Sequence, residues 1–244
     1  MIQFALIRFT LIQFALIRFE LINFRLFFVL LPLVSPLAIA SAQDWQIRLV
    51  KDGITVQSRL PENAKYQEFR ADTEIDATIA HAIALLSDNE ACSEWLYRCK
   101  ESRLLKEISP TERIFYQVSS LPFPAKSREA IFHAKIRYNS DKSALIEMTA
   151  ATSELSETKH LRIKDAIGTY TLEPLPNNRT KITWQLYVDP GGALPAWLVN
   201  AMLTDLPFKS LQAFRLLVLR PPYSQAEFVY DGDGQPIDIV FTKP

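Results

Sequence analysis

Thr180-Lys181-Ile182-Thr183-Trp184-Gln185-Leu186-Tyr187-Val188, followed by Asp189-Pro190-Gly191-Gly192-Ala193-Leu194-Pro195-Ala196-Trp197-Leu198-Val199-Asn200, is the stretch whose reading decides the fold. In its first part Ile182, Trp184, Leu186 and Val188 alternate with Thr183 and Gln185, the period of a strand with one buried face. Gly191-Gly192 then supplies a turn whose dihedrals favour residues without a Cβ. Pro195 suits the first turn of a helix, where its missing N–H is no loss. The helical pattern runs on to about Leu219, and about 25 residues at 1.5 Å each give roughly 37 Å, enough to cross a sheet. Pro207 should bend this helix by removing a backbone donor. Trp197, Ala201, Leu206, Phe208, Leu211 and Phe214 are the expected sheet-facing stripe.

Upstream of this stretch, strand alternation persists for about a hundred residues, which predicts an antiparallel sheet with one buried face. Ile114, Tyr116 and Val118 share one face of their strand. So do Phe132, Ala134, Ile136 and Tyr138, and so do Ile146, Met148 and Ala150. Lys135, Arg137 and Thr183 lie opposite. Nearer the start, Trp45 to Val50 and Ile54 to Arg59 flank the turn Lys51-Asp52-Gly53 and read as a hairpin. A strand at Tyr66 to Glu74 follows, then a helix from Ala77 to Ser87 capped by Asp76, with Ile79, Ile83 and Leu86 on one face. Beyond Pro221-Pro222, residues 221–244 read as a terminal β-hairpin turning at Asp231-Gly232-Asp233-Gly234.

Residues 1–42 differ in kind. Ile2 to Leu11 recurs almost unchanged as Ile12 to Leu21, a duplication within the segment. An apolar run from Leu26 to Ala40 then ends in small residues, the pattern of a signal peptide cleaved near Ala40 or Ala42. The run is shorter than the roughly 20 apolar residues of a spanning helix. The expected location is therefore outside the cytoplasm, periplasmic or secreted. Cys92 and Cys99 are the only cysteines. In an oxidising compartment such a pair favours a disulfide over two buried thiols. On one straight helix they would stand about 10 Å apart, so a bridge requires a bend near Trp95.

Lys+Arg and Asp+Glu both number 27, which argues against a surface built to neutralise nucleic-acid phosphates. No nucleic-acid partner is expected. His81, His133 and His160 show no metal-ligand spacing, and two cysteines without nearby histidines make a poor zinc site. No Gly-x-Ser-x-Gly elbow and no phosphate-cradling glycine loop occurs. Neither a catalytic residue, a metal nor a cofactor is expected.

Asp189-Pro190-Gly191-Gly192 with Leu194-Pro195-Ala196-Trp197-Leu198-Val199-Asn200 resembles the C-terminal signature of START (steroidogenic acute regulatory protein-related lipid transfer) domains. Further matches fall in family order: Asp52 to Val56, Trp95, Leu121-Pro122-Phe123-Pro124 leading to Ser127-Arg128-Glu129, and Gly168-Thr169-Tyr170 before Glu173-Pro174. The resemblance covers residues 43–220 and implies an exported, bacterial-type member. The fold it implies is α+β of the helix-grip kind, a curved antiparallel β-sheet with a long C-terminal α-helix closing an internal lipid cavity. The function it implies is binding, and transfer, of a lipid or other hydrophobic molecule by a monomer in transient contact with a membrane surface, without covalent chemistry. Two other functions stay open: a cyclase or hydrolase on the same fold, with Glu101 as its acid or base, and an envelope accessory protein that offers the terminal hairpin to a protein partner.

Under this resemblance the expected cavity residues are Glu101, Arg103, Tyr116, Phe132, Met148, Trp184, Leu186, Trp197, Ala201 and Leu206. Cholesterol-binding members pair a cavity carboxylate with an arginine. Glu101 could match the carboxylate, but Ala134 stands at the arginine position. Arg103 is then the candidate replacement, and the alternative is that Glu101 and Arg103 are both solvated on the outer face. A lid is expected from Thr152 to His160, with Leu155 at its tip and Leu194 at the helix start.

Overall fold

A computed structural model describes residues 44–151, 156 and 158–241 of the 244-residue chain. The duplicated segment and its cleavage site lie outside the described residues, as does Leu155. The chain opens with the strands β1 (Gln46–Lys51), β2 (Ile54–Arg59) and β3 (Glu68–Ile75). Asp52 and Gly53 join the first two with φ of 51° and 72°, the positive values that a two-residue hairpin needs to match strand twist. Helices α1 (Ile79–Ser87) and α2 (Cys92–Trp95) follow. Next come β4 (Cys99–Ser109), β5 (Glu112–Ser119), β6 (Arg128–Tyr138), β7 (Ala144–Ala150), β8 (Leu161–Arg162), β9 (Asp165–Leu175) and β10 (Arg179–Asp189). The long helix α3 spans Ala196–Leu217, and β11 (Glu227–Tyr230) with β12 (Pro236–Val240) close the described chain.

The main sheet runs β1-β2-β3-β10-β9-β7-β6-β5-β4, with β8 beside β6. All its pairings are antiparallel except β6 with β8. The early strand β3 pairs with the late strand β10, so the N-terminal hairpin joins the rest of the sheet through the strand that leads into α3. Helix α3 packs on β2, β3 and α2. Trp184 on β10 stacks on Tyr170 at 5.2 Å and meets the edge of Phe69 at 4.9 Å, while Trp95 meets Phe214 of α3 edge-on at 5.2 Å. Offset and edge-on pairs of this kind add modestly to the apolar burial that drives the core together. Among the described residues no helix is long and apolar enough to cross a membrane.

Several local expectations change. Thr78, not Asp76, caps α1, its Oγ1 accepting the His81 N–H at 3.3 Å. Pro195 occupies the N-cap of α3 with ψ of 136°, one position before the first helical turn. The buried stripe of α3 runs through Leu198, Leu203, Leu211, Phe214 and Leu217, whereas Trp197 and Ala201 face outward. The run Ala196-Trp197-Leu198-Val199 is apolar all round, so it does not fix the phase of the helix. Nor is the sheet buried on one face only. Tyr116 pairs with Ile131 and Phe115 with Phe132, which puts Ile114, Tyr116 and Val118 on the side opposite Phe132, Ala134 and Ile136. That outer side is itself buried here, with Leu105 and Ala151 packed over it.

Cys92 and Cys99 are bridged, with Cα atoms 5.9 Å apart. The bend that permits this follows Trp95: α2 ends there, Leu96 is extended and Arg98 has φ of 69°. The turn is tied to α3 where the Tyr97 N–H donates to the buried Ser210 Oγ at 2.9 Å.

At the other end of the chain β11 and β12 pair antiparallel and pack against α1. The Tyr223 hydroxyl donates to Asp88 Oδ2 at 2.8 Å in a buried setting, and Tyr138 meets Phe228 edge-on. Burial, with the Asp88 carboxylate beside it, pushes the Tyr223 phenol well above its usual pKa.

Candidate functional site

Between α3 and the inner face of the sheet lies a cavity of about 210 Å³. Strands bring Phe132, Met148, Tyr170, Trp184 and Leu186 to its wall, and α3 brings Leu198, Met202 and Leu206. Gly168 faces Met148 and Leu186 across both neighbouring strands. A Cβ at Gly168 would lie 3.0 Å from Leu186 Cδ1 and from Met148 Cε, so the glycine gives these two wall side chains their room.

The two ends of the cavity differ. At the α3 end Leu121, Leu194 and Leu198 meet Arg128 and Pro190. The Arg128 guanidinium is buried and donates from Nε to the Pro190 carbonyl at 2.6 Å, from Nη2 to Gly191 at 3.1 Å and from Nη1 to Lys126 at 2.8 Å. It therefore fixes the Pro190-Gly191 turn from which α3 departs. The other end is polar, built from Asp88, Asn89, Ser102 and Arg113. Here Ser102 Oγ donates to Asn89 Oδ1 at 3.3 Å, and Arg113 Nη1 donates to the Ser87 carbonyl at 3.2 Å.

On the opposite face of β6, Glu129 is fully buried. It accepts from Arg162 Nε at 2.7 Å, from the Tyr116 hydroxyl at 2.9 Å and from the Thr158 hydroxyl and backbone N–H. Burial alone would push the Glu129 carboxyl up, but these hydrogen bonds outweigh it and hold the group below the usual carboxylate range. This network belongs to the outer face.

The expected site residues divide accordingly. Phe132, Met148, Trp184, Leu186, Leu206 and Leu194 line the cavity. Tyr116 does not, because β5 turns the other way and its hydroxyl serves Glu129. Glu101 and Arg103 also lie outside. They face each other at 3.7 Å, about half exposed, with the Arg103 guanidinium over the Tyr116 ring, while Ser102 between them turns inward. Trp197 is 67% exposed and Ala201 is exposed as well, one step out of phase with the buried stripe. Leu155 lies outside the described residues, so only Leu194 of the expected lid pair can be placed.

Arg113, Asn89 and Ser102 are the residues that alternation misses. On β5 the cavity-facing side carries Arg113, Phe115, Gln117 and Ser119 and the outer side Ile114, Tyr116 and Val118, so polarity points the wrong way. The available signal was the cross-strand match of Phe115 with Phe132, which sequence alternation alone does not supply. His81 lies on α1, and His133 pairs with Glu112 at 2.7 Å on the outer face. No group of three or more His, Cys, Asp or Glu among the described residues could hold a metal ion.

A long antiparallel sheet, a C-terminal helix laid across it and a largely apolar cavity between them define a helix-grip protein. The START domain family matches residues 35–215, and the chain belongs to that family. An uncharacterized protein of Pseudomonas aeruginosa is 28% identical over 177 residues, 72% of this chain and 87% of that one. The human phosphatidylcholine transfer protein is 23% identical over 169 residues, 67% of this chain and 78% of its own. Among solved structures, the STAR-related lipid transfer protein of Xanthomonas axonopodis superposes with a TM-score of 0.68 at 28% identity, covering 73% of this chain and all of that one.

Proposed function

We propose that this chain is an exported carrier that encloses one lipid or similar hydrophobic molecule between its sheet and α3, exchanges it with a membrane and performs no covalent chemistry. The observation that carries this reading is the cavity itself, walled by Phe132, Met148, Trp184, Leu186 and Leu206. An apolar chain leaving water gains about 0.8 kcal/mol for each buried CH₂, so such a wall holds a ligand with few directional contacts. Likeness to a phosphatidylcholine transfer protein and to a STAR-related lipid transfer protein supports the ligand class. Export is supported by the apolar run before Ala42 and by the Cys92 to Cys99 bridge, which an oxidising compartment preserves.

Membrane contact is supported by the surface around the α3 end of the cavity. Trp197 follows directly on the turn into α3, and Leu161 packs beside Gly191 and Gly192. Phe123 stands 94% exposed two residues beyond the cavity-lining Leu121. Large apolar side chains gathered at one end are poorly suited to water and well suited to a bilayer interface. Native mass spectrometry of protein purified from its host tests the reading. One lipid-sized adduct per chain is expected, and an empty chain under gentle ionisation contradicts it.

A further inference from the structure

The polar end of the cavity holds a cation, Arg113, with no carboxylate of the described residues in ion-pair contact. Arg113 is the second residue of β5 and lines the cavity with Asp88, Asn89 and Ser102. Its guanidinium has five N–H donors. The acceptors it meets are two backbone carbonyls, Ser87 at 3.2 Å and Pro110 at 3.4 Å. None of the ion pairs among the described residues includes it. Glu107, opposite Arg113 on β4, and Asp238 act on it electrostatically without forming an ion pair, and Glu107 does not line the cavity. Burial pulls the Arg113 pKa below the usual arginine value.

Asp88, the one carboxylate lining this end, is turned to other work. It accepts the Tyr223 hydroxyl and the Glu90 N–H. The Asn89 amide oxygen is likewise occupied, by Ser102 Oγ. What this end offers a guest is therefore chiefly the N–H donors of Arg113 that its two carbonyl acceptors leave over. A cation partly withdrawn from water with no carboxylate in hydrogen-bond contact is costly, and an anion brought by the ligand offsets that cost.

We infer that the ligand is an amphiphile with an anionic oxygen head, carboxylate or phosphate, which enters head first and seats on Arg113 while its apolar chain lies toward the start of α3. Arg113 and Ser119 stand at opposite ends of β5, and six residues at about 3.3 Å span roughly 20 Å, a length that suits an extended acyl chain. Between them Phe115, Phe132 and Met148 pack together as apolar wall, and Gln117 is the one polar side chain of β5 that intervenes. The inference rests on the carrier reading and narrows its ligand class.

Three probes of equal chain length separate the possibilities: a fluorescent long-chain fatty acid, its methyl ester and the corresponding alkyl phosphate. They are titrated into delipidated full-length protein, Arg113→Gln and Arg113→Lys, with folding of each variant checked by circular dichroism. The wild type should bind an anionic probe at least about tenfold more tightly than the ester, the size of effect a charge-assisted hydrogen bond supplies. A preference for the acid identifies carboxylate as the head, and a preference for the phosphate identifies a phosphate head. Arg113→Gln should bring anion and ester within about threefold while leaving ester affinity in place, and Arg113→Lys should restore much of the preference. Equal binding of anions and ester by the wild type, or a preference that survives in Arg113→Gln, overturns the inference and leaves the carrier reading standing. Failure of the wild type to bind any of the three contradicts both.

Discussion

Arg128 and Glu129 are adjacent in the chain, yet they serve opposite faces of β6. Arg128 reaches across the cavity end to hold the carbonyls of Pro190 and Gly191, and Glu129 reaches outward to Arg162, Tyr116 and Thr158. One strand position thus anchors the turn into α3, and the next anchors the chain that leads into β8. Both charges are buried, so neither tolerates loss of its partners cheaply.

The first prediction concerns acid stability. Glu129 is held below the carboxylate range in the fold, so its contribution is fully present above its unfolded pKa of about 4.3 and is lost as pH falls through the lower folded value. Glu129→Gln should destabilise the protein by about 3 to 5 kcal/mol near neutral pH, because it removes one charge of the buried Glu129 to Arg162 pair. It should also flatten the fall in stability below about pH 4. Denaturant titrations from pH 3 to 7 check both, and a variant as acid-labile as the wild type contradicts the assignment.

Trp184, in the cavity wall, and Trp197, outside it, should behave differently. Trp184 is 2% exposed and Trp197 is 67% exposed. Trp184→Ala should cost about 3 to 5 kcal/mol in stability and weaken ligand capture. Trp197→Ser should shift stability by less than about 0.5 kcal/mol while slowing exchange with vesicles. Lys135→Ala and Arg137→Ala, on the outer face, should change neither capture nor exchange. Thermal unfolding read beside a vesicle exchange assay separates these effects.

Most of the architecture is legible in the sequence, because it follows from local rules. The alternation of Ile182 to Val188, the Gly191-Gly192 turn and Pro195 place the last strand and the long helix within a few residues of where they lie. The cavity was legible where inward and apolar coincide, as at Phe132, Met148, Trp184 and Leu186. It was not legible on β5, where the outer face is also buried and the inner face carries Arg113 and Gln117. Nor could sequence set the phase of α3 at Trp197, since several consecutive residues there are apolar. Which face a strand turns inward depends on register with its neighbours, a long-range relationship that periodicity within one strand does not contain.

Gly168 offers a way to close the cavity without touching its polar end. Gly168→Val should push Leu186 and Met148 into the space they border, at an overpacking cost of about 1 to 3 kcal/mol. The folded variant should carry markedly less ligand than the wild type. Native mass spectra of the two, prepared side by side, read the loss directly, and equal occupancy shows that the ligand does not pass Gly168.

The disulfide holds the turn that carries Trp95 against Phe214. For so short a loop, replacing both cysteines by serine should cost about 2 to 3 kcal/mol. Reductant should destabilise the wild type by a similar amount and leave the double variant unchanged. Urea midpoints with and without reductant test this, and a wild type indifferent to reductant contradicts it.

The most direct test of reversible enclosure is lipid uptake from vesicles. Delipidated protein is incubated with vesicles made from the total lipid extract of its host, separated from them by flotation and assayed for bound lipid by mass spectrometry. The account predicts one lipid per chain in the wild type, released again to fresh vesicles, and strongly reduced uptake in Gly168→Val. Protein that returns from the vesicles without lipid, or carries lipid it never gives back, contradicts it.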